Sequence, residues 1–93
     1  MQKIIGLIGG VSWESTVLYY QLINQAVRER LGGLNSARLI INSLNYDPIV
    51  ELENQNNWSE VGKILSQAAC SLQNAGANFL ILGCNTLHKV TPV

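Results

Sequence analysis

Lys3-Ile4-Ile5-Gly6-Leu7-Ile8-Gly9-Gly10-Val11-Ser12-Trp13 decides the fold of this chain. A continuously apolar, β-branched run breaks into paired glycines and then into a residue suited to begin a helix. That succession reads as a buried strand, a tight turn and a helix start. Working outward, two further short apolar runs occupy residues 38–44 and 78–82. None of the three alternates apolar with polar residues, so each is expected to be covered on both faces, as in a parallel sheet flanked by helices.

Two helical stretches lie between the runs. In the first, Trp13, Val17, Tyr20, Val27 and Leu31 recur at three-, four- or seven-residue spacing and form one apolar stripe. Ser12 is placed to cap it, and Gly32-Gly33 to stop it. In the second, the stripe is Val61, Ile64, Leu65, Ala68, Ala69, Leu72 and Ala75. Asn57 followed by Glu60 resembles a capping box, and Gly76 ends the helix. The expected order is β-α-β-α-β in one three-layer α/β domain spanning residues 1–93. Right-handed crossovers place the helices on opposite faces and the strands in the order 2-1-3. The third strand is then an edge. Ligands of such sheets bind beyond the carboxyl ends of the strands, where the winding direction switches. Three loops meet there: residues 9–12, 45–53 and 83–88.

Composition narrows the function. The chain has 93 residues, 47% hydrophobic and 13% charged, which excludes intrinsic disorder. Six basic residues balance six acidic ones, leaving no basic field for a nucleic-acid backbone. The apolar runs are too short for a membrane span or a signal peptide. Two cysteines, Cys70 and Cys84, make no disulfide framework. The chain reads as soluble, cytoplasmic and enzymatic.

Among the loops, Gly9 and Gly10 would let amides approach an anion at the helix start, or would simply make a tight turn. Their spacing with Gly6 is not that of a dinucleotide fingerprint. Cys84-Asn85-Thr86 follows the third strand directly. A thiol at a strand end facing a helix start is placed to have a lowered pKa, with Asn85 and Thr86 as donors for a carboxylate or oxyanion. A buried structural cysteine is the alternative, and spacing leaves both open. His88 is one turn beyond Cys84 but lacks further ligands for zinc, so it is read as orienting the loop or tuning the thiol. Cys70 projects away from the apolar stripe of its helix and is expected to be exposed and incidental. Trp13, Tyr19, Tyr20 and Trp58 are read as core or interface residues rather than a stacking platform.

Three blocks together resemble the amino-acid racemases of the aspartate/glutamate racemase superfamily. They are Ile5-Gly6-Leu7-Ile8-Gly9-Gly10-Val11-Ser12-Trp13-Glu14-Ser15-Thr16, then Arg30-Leu31-Gly32-Gly33-Leu34-Asn35-Ser36-Ala37, then Gly83-Cys84-Asn85-Thr86-Leu87-His88-Lys89. The resemblance implies a flavodoxin-like racemase half, with these residues the N-terminal portion of a longer protein of two similar halves. It implies racemisation without pyridoxal phosphate or metal, by two cysteines flanking the substrate's α-carbon, one from each half. On it, Cys84 matches the first-half catalytic cysteine, and Asn85 and Thr86 match positions holding the α-carboxylate. Val11 and Ser12 match first-loop positions bordering the substrate. Glu53 matches a position that is commonly glutamine, and a carboxylate there would repel an acidic side chain unless protonated or turned away. The implied partners are a small amino acid and a second copy in a homodimer. An inactive fragment, or a carboxylate binder without turnover, is the competing expectation, because the second cysteine belongs to the other half.

Overall fold

The structure is a computed structural model and describes residues 2–83. The elements run β1 (Ile4–Gly9), α1 (Trp13–Leu31), β2 (Arg38–Ser43), α2 (Tyr46–Asn54), α3 (Trp58–Asn74) and β3 (Phe79–Leu82). The sheet is parallel with order β2-β1-β3, so the expected 2-1-3 arrangement is observed. Register pairs Ile4 with Arg38 through Gly9 with Ser43 on one side of β1. On the other side, Ile5 pairs with Phe79 through Ile8 with Leu82.

Strand side chains alternate between faces, and that alternation assigns the layers. A Cβ on Gly6 would meet Leu72 of α3, whereas one on Gly9 would meet Thr16 of α1. Residues 6 and 9 differ by an odd number, so the two helices lie on opposite faces of β1. The core is on the α3 face, where Ile8, Val11, Ile49, Val61, Leu65, Ala68 and Leu72 form one buried cluster. Ile40 and Leu44 pack against it, half-buried. No described helix is long and apolar enough to cross a membrane.

Two expectations are corrected by these contacts. Residues 45–53, read as a loop, form most of α2. Asn45 caps that helix by accepting from the Asp47 amide at 3.4 Å, and Pro48 falls in the first turn, where its missing N–H leaves no intrahelical bond unmade. Ile49, 1% exposed, holds α2 in the cluster beside Val11 and Val61. Nine residues are marginal as an isolated helix, so this packing stabilises it more than propensity does.

The second correction concerns α1. Its apolar stripe is not its contact face: Trp13 is 65% exposed, Leu31 59%, and Val17 and Tyr20 50% each. The less exposed side of the helix lies about a quarter turn away, with buried Thr16 against Gly9 and half-buried Tyr19 and Ile23; Val27 is the one residue of the stripe that is itself half-buried.

The second expected helix is observed as α3, with Asn57 accepting from the Glu60 amide at 3.4 Å. The Glu60 carboxylate bonds Lys63 at 3.1 Å rather than returning to Asn57, so only half of the expected capping box forms. Gly32 ends α1 as expected, its amide donating to the Arg28 carbonyl at 2.7 Å.

Candidate functional site at the strand ends

The carboxyl ends of the strands are drawn together by backbone bonds. The Leu44 amide donates to the Gly9 carbonyl at 2.8 Å, continuing the β1–β2 ladder past its last pair. The Gly83 amide donates to the Ile8 carbonyl at 3.0 Å and does the same for β3. Strand β3 and Gly83 therefore end beside the first loop. Cys84, Asn85, Thr86 and His88, the residues expected to carry acid–base chemistry and carboxylate binding, lie outside the described residues.

The first loop is built from two left-handed residues around a buried one. Gly10 has φ +82°, and a Cβ there would run into the Leu44 backbone, so glycine is required on both conformational and steric grounds. Val11 is 1% exposed and belongs to the core cluster. Val11, expected at the substrate's border, is thus buried in one cluster with Ile49 of α2, and Ser12 is the half-buried residue of the pair.

Ser12 has φ 62° and ψ 90°, an uncommon conformation for a residue other than glycine. This corrects its expected role as a helix cap. A capping serine sits in the β region with its hydroxyl over the first turn, whereas the Ser12 side chain makes no capping hydrogen bond. Its Oγ lies 3.5 Å from Glu14 Oε1 and from Ser15 Oγ, at the outer limit of hydrogen bonding. The α1 N-terminus presents the amides of its first turn and the positive end of its dipole at this loop.

Glu53 occupies the last turn of α2 rather than a loop, about 12 Å along the helix axis from Asn45. It is half-buried, and among the described residues its carboxylate bonds no group of the first loop. Cys70 is exposed on α3, as expected. It borders an apolar cleft of about 450 Å³ between α3 and β3, lined also by Leu65, Ala69, Leu80 and Leu82. No cluster of three or more metal-ligating side chains occurs among the described residues.

The residue that sequence reasoning missed is Thr16. It is 8% exposed, and its Oγ1 accepts a buried hydrogen bond from the Gly10 amide at 2.8 Å. Apolar periodicity passes over a threonine. The available signal was a hydroxyl residue one turn into a helix that follows two glycines.

Parallel strands in the order 2-1-3, with a glycine-rich first loop at the switch point, define an α/β chain of the class whose ligands bind at the strand ends. More particularly, the chain belongs to the Asp/Glu/Hydantoin racemase family, whose model matches residues 8–92. A crystal structure from Yersinia pestis classed with the Asp/Glu racemases is 48% identical and superposes with a TM-score of 0.93 over 96% of this chain. An aspartate racemase homologue from Pyrococcus horikoshii OT3 is 38% identical, with a TM-score of 0.84 over 97% of this chain. The matched regions are 39% and 38% of those two chains, so this chain spans well under half the length of either relative.

Proposed function

We propose that this chain contributes one half of a site for cofactor-independent racemisation of an amino acid, with aspartate or glutamate as substrate. Cys84, as thiolate, takes the proton from the α-carbon, leaving the electron pair delocalised into the carboxylate. Asn85 and Thr86 hold that carboxylate, and Ser12 borders it from the first loop. A second acid on the opposite face returns a proton to complete inversion. Cys70 is not that acid, because it lies on α3 beside the β3 cleft rather than at the strand ends. In this proposal the second acid comes from the part of the relatives' length that this chain does not span.

The observation that carries the reading is the Gly83–Ile8 hydrogen bond, which ends β3 beside the first loop. Glu53 favours a substrate whose side chain points away from the end of α2, since two carboxylates brought together repel. The chemistry calls for neither metal nor pyridoxal phosphate, as thiolate and carboxylate donors suffice. We assign the exposed stripe of α1 to self-association in a cytoplasmic homodimer.

The test follows loss of the α-proton from L- and D-aspartate and glutamate in D₂O by NMR. Replacing Cys84 by Ser is expected to lower exchange by about 10²–10⁴-fold, the contribution of a positioned acid–base group. Full retention of exchange in a folded Cys84→Ser variant refutes the assignment. A second reading, a carboxylate binder that does not turn over, rests on the α1 N-terminus, whose dipole favours an anion at the first loop. Exchange from one enantiomer without formation of the other would show one base working alone. Stabilisation by aspartate without any exchange would support the binder.

A further inference from the structure

We infer that Thr16 is the positioning residue of the substrate loop, its hydroxyl holding the Gly10 amide so that Val11 and Ser12 keep their conformation. The inference rests on the racemase reading for what the loop does, but its geometry stands on described residues alone. Thr16 is the one buried residue of α1, on a helix whose large apolar side chains are mostly half or more exposed. A buried hydroxyl is unfavourable unless bonded. Here Oγ1 lies 2.8 Å from the Gly10 nitrogen.

The same side chain seals the end of β1. A Cβ on Gly9 would sit 2.6 Å from Thr16 Cγ2 and 2.8 Å from Oγ1, so the threonine lies directly on the strand's last residue. The loop is therefore fastened on two sides. The Leu44 amide holds the Gly9 carbonyl, and Thr16 holds the Gly10 amide. Between these fastenings and the helix, the chain passes through positive φ at Gly10 and again at Ser12. Without a partner for the Gly10 amide, the loop loses its anchor ahead of Ser12 and keeps only the α1 contacts to Ser12 itself, the Ser15 amide on the Ser12 carbonyl at 3.0 Å among them. Thr16 touches no reacting atom in this scheme and acts through the loop.

The experiment compares the full chain with Thr16→Ser and Thr16→Val. Valine keeps the shape packed on Gly9 and removes the hydroxyl, whereas serine keeps the hydroxyl. Amide hydrogen exchange at Gly10 is read by ¹⁵N NMR against the Ile8 amide in the same sheet. The α-proton exchange of aspartate is measured as a function of its concentration. Valine is expected to speed Gly10 exchange relative to Ile8, and to raise the aspartate concentration for half-maximal rate, each by about tenfold, the factor carried by one buried hydrogen bond. The maximal rate changes less, and serine restores both quantities. Unchanged Gly10 protection in Thr16→Val overturns the inference, as does a loosened loop with unaltered aspartate dependence. A folded wild-type chain that exchanges no α-proton favours the carboxylate-binder reading instead, and Gly10 protection then decides the role of Thr16 by itself.

Discussion

Replacing Gly10 by Ala tests the construction of the first loop most directly. Gly10 has φ +82°, and the added Cβ would meet the backbone O, N and C of Leu44. The left-handed conformation alone costs an L-residue roughly 1–2 kcal/mol. Crowding against backbone, unlike crowding against a side-chain tip, cannot be relieved by a rotamer change, and overpacking of this kind adds about 1–3 kcal/mol. Separation of the loop from Leu44 also strains the 2.8 Å bond between the Leu44 amide and the Gly9 carbonyl. Losing that bond adds about 1 kcal/mol. The terms overlap, and a total of about 3–5 kcal/mol is expected. Total stability for a chain of this length is roughly 5–14 kcal/mol, so the loss is a large fraction of it. The melting temperature, read by far-ultraviolet circular dichroism, should fall by at least about 12 °C. Gly33→Ala is the internal comparison: φ is +60° there, but nothing lies within 4 Å of the added Cβ. It bears the conformational term alone and should lower the midpoint by roughly a third as much. Equal effects of the two substitutions, or a Gly10→Ala midpoint within about 4 °C of wild type, would refute the steric argument.

Two further outcomes are expected from the helical core. Gly62 lies inside α3 with open space around its Cβ position, so Gly62→Ala should stabilise by about 1 kcal/mol through helix propensity, raising the midpoint by about 4–8 °C. A lowered midpoint would show that the site is not open. Leu72 is 1% exposed in the cluster beneath β1, and Leu72→Ala should remove about 2–5 kcal/mol, measured as a lower urea midpoint at unchanged slope. A loss under about 1 kcal/mol would contradict its place in the core.

The elements that were legible are those whose local pattern and long-range surroundings agree. The apolar runs became β1, β2 and β3 within a residue at each end; β1 is covered on both faces as its pattern requires, whereas Ile41 of β2 and Phe79 and Leu80 of β3 stay exposed. The stripe of α3 was legible for the same reason: Val61, Leu65, Ala68 and Leu72 repeat at helical spacing and are the residues that pack on the sheet. In α1 the pattern misled. Trp13, Val17, Tyr20 and Leu31 share a stripe, yet the sheet takes the neighbouring face with Thr16 at its centre. At the strand ends, the glycine turn could be read, but not the buried Thr16 that holds it. Residues 45–53 hold asparagine, aspartate and proline close together, which reads equally as a loop or as a capped helix start.

By itself, then, the sequence determined the alternation of strands and helices, the parallel sheet, the strand order and the family, since each follows from composition, periodicity, connection handedness and motif. Only the tertiary structure decided which face of α1 is covered, that residues 46–54 are helical, and that Ser12 stands at positive φ instead of capping. The physical reason is the range of the forces involved. Propensity and periodicity act within a few residues, whereas these outcomes depend on Ile49 meeting Val11 and Val61, on Thr16 pressing against Gly9, and on the Leu44 amide reaching the Gly9 carbonyl thirty-five residues away in the chain.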